Sequence, residues 1–182
     1  FPIHFEPEAV ILYTSYFYSD QECVIINILK CLNENQVLVV KEHPNQPGAL
    51  LQRKFQKIKD YSANILFLPA ETPSNIIIQS CKFVITLGSS VGFEALAIGK
   101  PVINFGKVYY DSYEGIYNVY SFDELYTLIR ENNFNKVDKD IINFTARIIS
   151  KMKAGNPFPH ENLYSKDNIK KVSLSFEEEL NK

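Results

Sequence analysis

Residues 86–106 read TLGSSVGFEALAIGKPVINFG, and their types and spacing suit the binding of a phosphate. An apolar run ends in Gly88-Ser89-Ser90, and a helical pattern starts at once. The first amides of a helix lack intrahelical partners and carry the positive end of its dipole, which favours an anion. Ser89 and Ser90 add hydroxyl donors, and Gly88 lets the backbone approach a ligand with no Cβ in the way. With Ser90 as N-cap, a capping-box acid would fall at 93, where Phe93 stands. Glu94 therefore has no capping duty and sits one turn in, placed to hold a ribose hydroxyl. A plain capped helix with a surface glutamate would account for Ser90 alone, but less well for the whole Gly-Ser-Ser-x-Gly-x-Glu run.

A second candidate is Lys41-Glu42-His43-Pro44-Asn45, at the end of another apolar run. Strand alternation puts Lys41 and His43 on one side. Pro44 disfavours helical geometry at His43, so the ring should project from the strand end. An imidazole there can donate to a phosphate and can carry charge. Taken singly, a His-Pro pair is more simply a turn histidine bonded to backbone; the serine loop gives it weight. Secondary candidates are Lys41, Thr14 after the apolar run 10–13, Pro69 after the run NILFL, and Tyr110 in the aromatic loop 106–111. That loop could close over a ligand or cover a sheet edge. His4 and His160 have no partners at metal-ligand spacing and are discounted, and no metal site is expected. Glu6 and Glu8 read as a solvated linker, and Lys151, Lys153, Lys170 and Lys171 as solvated helix faces. The absence of GxGxxG after the first strand and of GxxxxGK[ST] argues against dehydrogenases and P-loop NTPases.

These loops need a scaffold, and the hydrophobic periods supply one. The opening FPIHFEPEA has two prolines and no period, so residues 1–9 read as a linker. The run 10–13 takes the place of the first strand, and Ser19 caps a helix carrying Val24, Ile28, Leu29 and Leu32. Strands follow at 36–41, 64–68, 83–87 and 101–105. Between them lie helices at 49–61, after Thr72-Pro73 to about 80, and at 90–98. Ser121 to Glu124 forms a capping box for a helix to about 131. A long helix over 138–153 should stop at Gly155, and a helical tail occupies 156–182. Strands alternating with helices predict one α/β domain over residues 10–155, a doubly wound parallel sheet. In such sheets ligands bind beyond the carboxyl ends of the strands, where both candidate loops fall.

Composition sets outer bounds. The chain has 182 residues, 46% hydrophobic and 22% charged, as in an ordinary globular domain. A formal net charge of -2 argues against a general electrostatic grip on nucleic acid. No apolar run has the length of a membrane span. Three cysteines, spaced like neither a zinc site nor a redox pair, read as small core residues in a reducing compartment. The start at Phe-Pro-Ile-His suggests a processed product or a domain cut from something longer.

KEHPNQPG (41–48), followed by VITLGSSVGFEALAIGKPVINFG (84–106), resembles the bacterial capsule polysaccharide synthesis family. That family includes the Kdo transferases of capsule export and, more distantly, bacterial sialyl- and polysialyltransferases. FEPEAV (5–10) is similar to the segment where the C-terminal half of these enzymes begins, and the resemblance covers about residues 5–130. It implies a GT-B architecture, with this chain as its Rossmann-like donor-binding half and a CMP-linked acidic sugar as donor. By resemblance, His43, Ser89 and Ser90 hold the CMP phosphate and Glu94 the ribose. The acceptor site and the acidic base belong to the other half, so this chain alone is expected to be inactive, and no metal cofactor is expected. The implied partners are a nucleotide sugar and a glycan or glycolipid acceptor. The implied location is cytoplasmic, with peripheral association at the inner face of the membrane. Two other readings stay open: a UDP-sugar-dependent transferase or epimerase-like domain, and a non-catalytic capsule-assembly module.

Overall fold

The structure is a computed structural model that describes residues 1–7, 9–132, 134, 137, 141–152, 154–155 and 163–181. Glu8, Lys153 and His160 lie outside the described residues, as do 138–140 of the expected long helix and 156–162 of the expected tail. The chain divides into two compact units, Phe1–Ile141 and Ile142–Lys182. The sequence reading carried its α/β domain on to residue 155, past this division.

In the first unit the elements run α1 (Ala9–Thr14), α2 (Gln21–Cys31), β1 (Leu38–Lys41), α3 (Arg53–Tyr61), β2 (Ile65–Leu68), α4 (Ser74–Ser80), β3 (Val84–Thr86), α5 (Ser90–Ala97), β4 (Val102–Asn104), β5 (Ile116–Asn118) and α6 (Phe122–Glu131). The fold is mixed α/β with parallel strands, consistent with a Rossmann-like arrangement. In place of one expected sheet there are two parallel ladders, β1-β2 and β3-β4-β5. Leu38 pairs with Ile65, Val84 with Val102, and Val102 with Ile116.

The expected linker at residues 1–9 contributes to the first ladder. Pro2 forms a parallel bridge with Lys41. The Ile3 amide donates to the Lys41 carbonyl (2.9 Å), and the Lys41 amide to the Phe1 carbonyl (3.0 Å). Pro2 has no N–H to donate, which keeps this pairing short. The apolar run at 10–13 is helical rather than a strand; for so short a run periodicity does not separate the two.

One buried cluster joins the ladders: Ile3, Val40, Ile85, Leu87 and Ile103 belong to it together with Val24, Ile25 and Ile28 of α2. Each such side chain contributes about 1.5–3 kcal/mol by leaving water. α2 also packs along α6, which buries Leu125 and Ile129. Helix starts fall one residue from several expectations. Asp20, not Ser19, caps α2 by accepting from the Cys23 amide. Pro73, not Thr72, precedes the first residue of α4. The expected box at α6 forms, with Ser121 Oγ accepting from the Glu124 amide (3.1 Å). Glu124 reaches back one residue further, to the Tyr120 amide (2.8 Å). All three cysteines are free; Cys31 is buried, but Cys23 is exposed and is not a core residue.

The second unit holds α7 (Ile141–Lys151) from its second residue onward and α8 (Lys166–Leu180), joined by residues that include Gly155, at φ 95° against Val172. The Ser175 hydroxyl donates to the Ala154 carbonyl (2.7 Å). No helix among the described residues is long and apolar enough to cross a membrane.

A candidate anion-binding cleft

Beyond the carboxyl ends of β1 and β3 lies a cleft of about 410 Å³. Lys41, His43, Gly88, Ser89, Ser90 and Glu94 all line it. The imidazole of one crossover and the hydroxyls of another thus share a single cavity, as the sequence analysis requires.

The serine side is built from β3 outward. Thr86, fully buried, accepts at Oγ1 from the amides of Ser89 (2.9 Å) and Gly88 (3.3 Å). The turn this makes puts Gly88 at φ 123°, a conformation a side chain would resist. The N-cap of α5 is Ser89 rather than Ser90: its Oγ accepts from the Val91 amide (3.2 Å). Capping engages Ser89 as an acceptor and leaves its hydroxyl hydrogen to donate. Among the described residues nothing takes up the exposed Ser90 hydroxyl, which is available to a ligand. With the cap at Ser89 the third helical position is Gly92, so Glu94 still has no capping role, and it is exposed.

The histidine side is built from β1. His43 Nδ1 accepts from the Asn45 amide (3.1 Å). In the neutral ring that bond places the hydrogen on Nε2, which remains a donor. The neighbouring Glu42 is buried and takes three backbone amides, Leu50 at 2.9 Å, Gly48 at 3.1 Å and Ala70 at 3.2 Å. Lys41, also buried, donates from Nζ to the carbonyls of Ala70 (2.9 Å) and Glu42 (3.0 Å). Burial holds its pKa below the ordinary lysine value, against the opposing pull of Glu42 and Glu71. Two of its three ammonium hydrogens therefore serve the scaffold of the His-Pro turn.

The remaining candidates lie elsewhere. Pro69 lines a separate cavity of about 320 Å³ with Leu50, Phe67 and Glu71. Thr14 is exposed on α1 and does not line the cleft. Tyr110 is fully buried; its hydroxyl donates to the Ser89 carbonyl (2.5 Å), so it braces the start of α5 and does not close over a ligand. Its neighbour Tyr109 packs on Phe93. Burial and then the Glu94 charge raise the pKa of the Tyr109 phenol. Sequence reasoning passed over Thr86 and Glu42, which carry no motif of their own. It also set aside His4, which lines the cleft. Among the described residues no three His, Cys, Asp or Glu side chains gather as metal ligands would.

Parallel strands with a polar cleft at their carboxyl ends, a capped helix start on one side and an imidazole on the other, define an α/β protein with a candidate site for an anionic ligand. Over residues 6–133 the chain matches the capsule polysaccharide biosynthesis protein family, and it belongs to that family. No curated protein and no solved structure matches it.

Proposed function

We propose that this chain is the donor-binding domain of a bacterial capsular or surface polysaccharide glycosyltransferase that takes a CMP-activated acidic sugar of Kdo or sialic acid type. The observation that carries the reading is the shared cleft of His43, Ser89 and Ser90. Membership of the capsule polysaccharide biosynthesis family supports the biological context.

In this reading the bond between the anomeric carbon and the phosphate oxygen breaks, and its electron pair stays on the phosphate. An acceptor hydroxyl oxygen bonds the anomeric carbon and gives its proton to an acidic base on the other half of a GT-B architecture. The charge that builds on the leaving phosphate is met by the His43 Nε2 hydrogen, the Ser90 hydroxyl and the start of α5, donors already in place before reaction. Glu94, on the next turn, would hold the ribose. No metal is called on, and the acceptor is a glycan or glycolipid met at the inner face of the cytoplasmic membrane.

Calorimetry with CMP, UDP and GDP at millimolar concentration tests the reading. CMP is expected to bind, and His43→Ala or Ser90→Ala to weaken it about tenfold, the worth of a hydrogen bond to a charged group. Ser90→Ala is more informative than Ser89→Ala, which also removes the helix cap. Stronger binding of UDP would move the assignment to a UDP-sugar enzyme. A folded chain that gives no heat with any of the three would overturn it.

A further inference from the structure

Within the second unit, α8 carries an apolar stripe that stays open to solvent. One side of the helix is engaged: Val172 lies against Gly155, and Ser175 donates to the Ala154 carbonyl (2.7 Å). On a neighbouring side Ile169, Ser173, Phe176 and Leu180 recur at i, i+4, i+7 and i+11, and so share one face. Ile169 is 49% exposed, Phe176 62% and Leu180 83%. Burial of such side chains is the main favourable term in association, so a row of three points to a surface that covers them.

The charges of α8 select the occupant. Lys166, Lys170 and Lys171 stand in its N-terminal half, Glu177 and Glu178 in its C-terminal half. That order opposes the helix dipole, which favours acids at the N-terminus and bases at the C-terminus. Asp167, paired with Lys171 (2.5 Å), is the exception. A second α8 running antiparallel removes the conflict by setting each basic half beside an acidic one; a parallel copy would set like beside like. The stripe fits the same arrangement. With Ile169 of one copy level with Leu180 of the other, Phe176 falls level with Ser173, large against small. In that register Lys170, on the flank of the stripe that also carries Glu177, comes within one turn of Glu177 of the second copy. α7 also exposes Ile142 and Ile149, but its charged residues are Arg147 and Lys151, with no acid to complement a second copy.

We infer that the face of Ile169, Phe176 and Leu180 is a homodimer interface, in which two copies of this chain pair α8 antiparallel about a twofold axis. The inference stands apart from the donor-site reading and does not depend on it.

Sedimentation velocity of the whole chain, over a concentration series at low salt, tests it. The wild type is expected to form a dimer that dissociates on dilution. Phe176→Asp puts a charge in the middle of the stripe and is expected to weaken the dimer about a hundredfold or more. Lys170→Glu and Glu177→Lys each set like charges together at both symmetry-related contacts, and each is expected to weaken it about tenfold. An equimolar mixture of those two variants is expected to regain wild-type affinity, because their heterodimer restores opposite charges at both contacts. All three positions are exposed, so the variants are expected to keep the wild-type circular dichroism spectrum. A wild type that stays monomeric throughout would overturn the inference, including one that floats with phosphatidylglycerol vesicles and so turns the stripe to lipid. A dimer that Phe176→Asp leaves intact would overturn it as well. A dimer lost in Phe176→Asp but not rebuilt in the mixture would overturn the antiparallel pairing.

Discussion

Two side chains without a motif, Thr86 and Glu42, hold the two walls of the cleft in place. Thr86 engages the Gly88 and Ser89 amides, and Thr86→Val keeps its shape while leaving both without a partner. The expected cost is about 1–3 kcal/mol of stability, read from urea unfolding, with weaker nucleotide binding as the serine turn loosens. Glu42 does more, since its carboxylate gathers the amides of Gly48, Leu50 and Ala70 around the turn that carries His43. Glu42→Ala leaves three backbone amides without their acceptor at a buried position, and a loss of about 3 kcal/mol or more is expected in the same measurement.

At the scale of elements, α5 shows packing overruling propensity. Gly92 lies inside the helix, where alanine is ordinarily better by about 1 kcal/mol. A Cβ at 92 would run into the Tyr110 hydroxyl, and Tyr110 is fully buried and braces the Ser89 carbonyl. Gly92→Ala is therefore expected to lower the melting temperature, and adding Tyr110→Phe to recover only part of the loss, because ring carbons also stand close to that position. If Gly92→Ala raised the melting temperature, Tyr110 would not be seated against α5 as described. The caps at α2 and α5 each fall a residue from expectation because adjacent polar residues compete for one role. Which of Ser89 and Ser90 caps depends on the turn that Thr86 makes, a contact from the preceding strand.

For the whole molecule, alkaline stability is set by opposed groups. Burial, and then Tyr109, raise the Tyr110 phenol above the ordinary 10.0, so the fold favours its neutral form. That contribution is intact below about pH 10 and is lost as pH rises further, since only the unfolded chain then ionises freely. Lys41 has the other sign. Its pKa is lowered by burial, so between the lowered value and the ordinary 10.5 the unfolded chain holds more protons and stability rises with pH. Unfolding free energies measured across about pH 8–11 are expected to fall less steeply above pH 10 in Tyr110→Phe, and to lose the rising component in Lys41→Met. Tyr110→Phe also lowers the baseline by removing the bond to Ser89, so the slope carries the test.

By itself the sequence determined the alternation of strands and helices, the box at α6, and the two loops whose residues meet in the cleft. Those features follow from periodicity and from side-chain chemistry acting over a few positions. It did not show β5, whose three residues are too short a run to read as a strand and are held by pairing with β4. Nor did it show that residues 1–4 join a sheet, because proline and the lack of a period look the same in a linker and in a short paired segment. Tertiary structure alone decided that His4 lines the cleft, that Tyr110 braces α5 and that Pro69 belongs to another cavity. Each of these depends on contacts between residues far apart in the chain, where burial and hydrogen-bond satisfaction outweigh the preferences of neighbours.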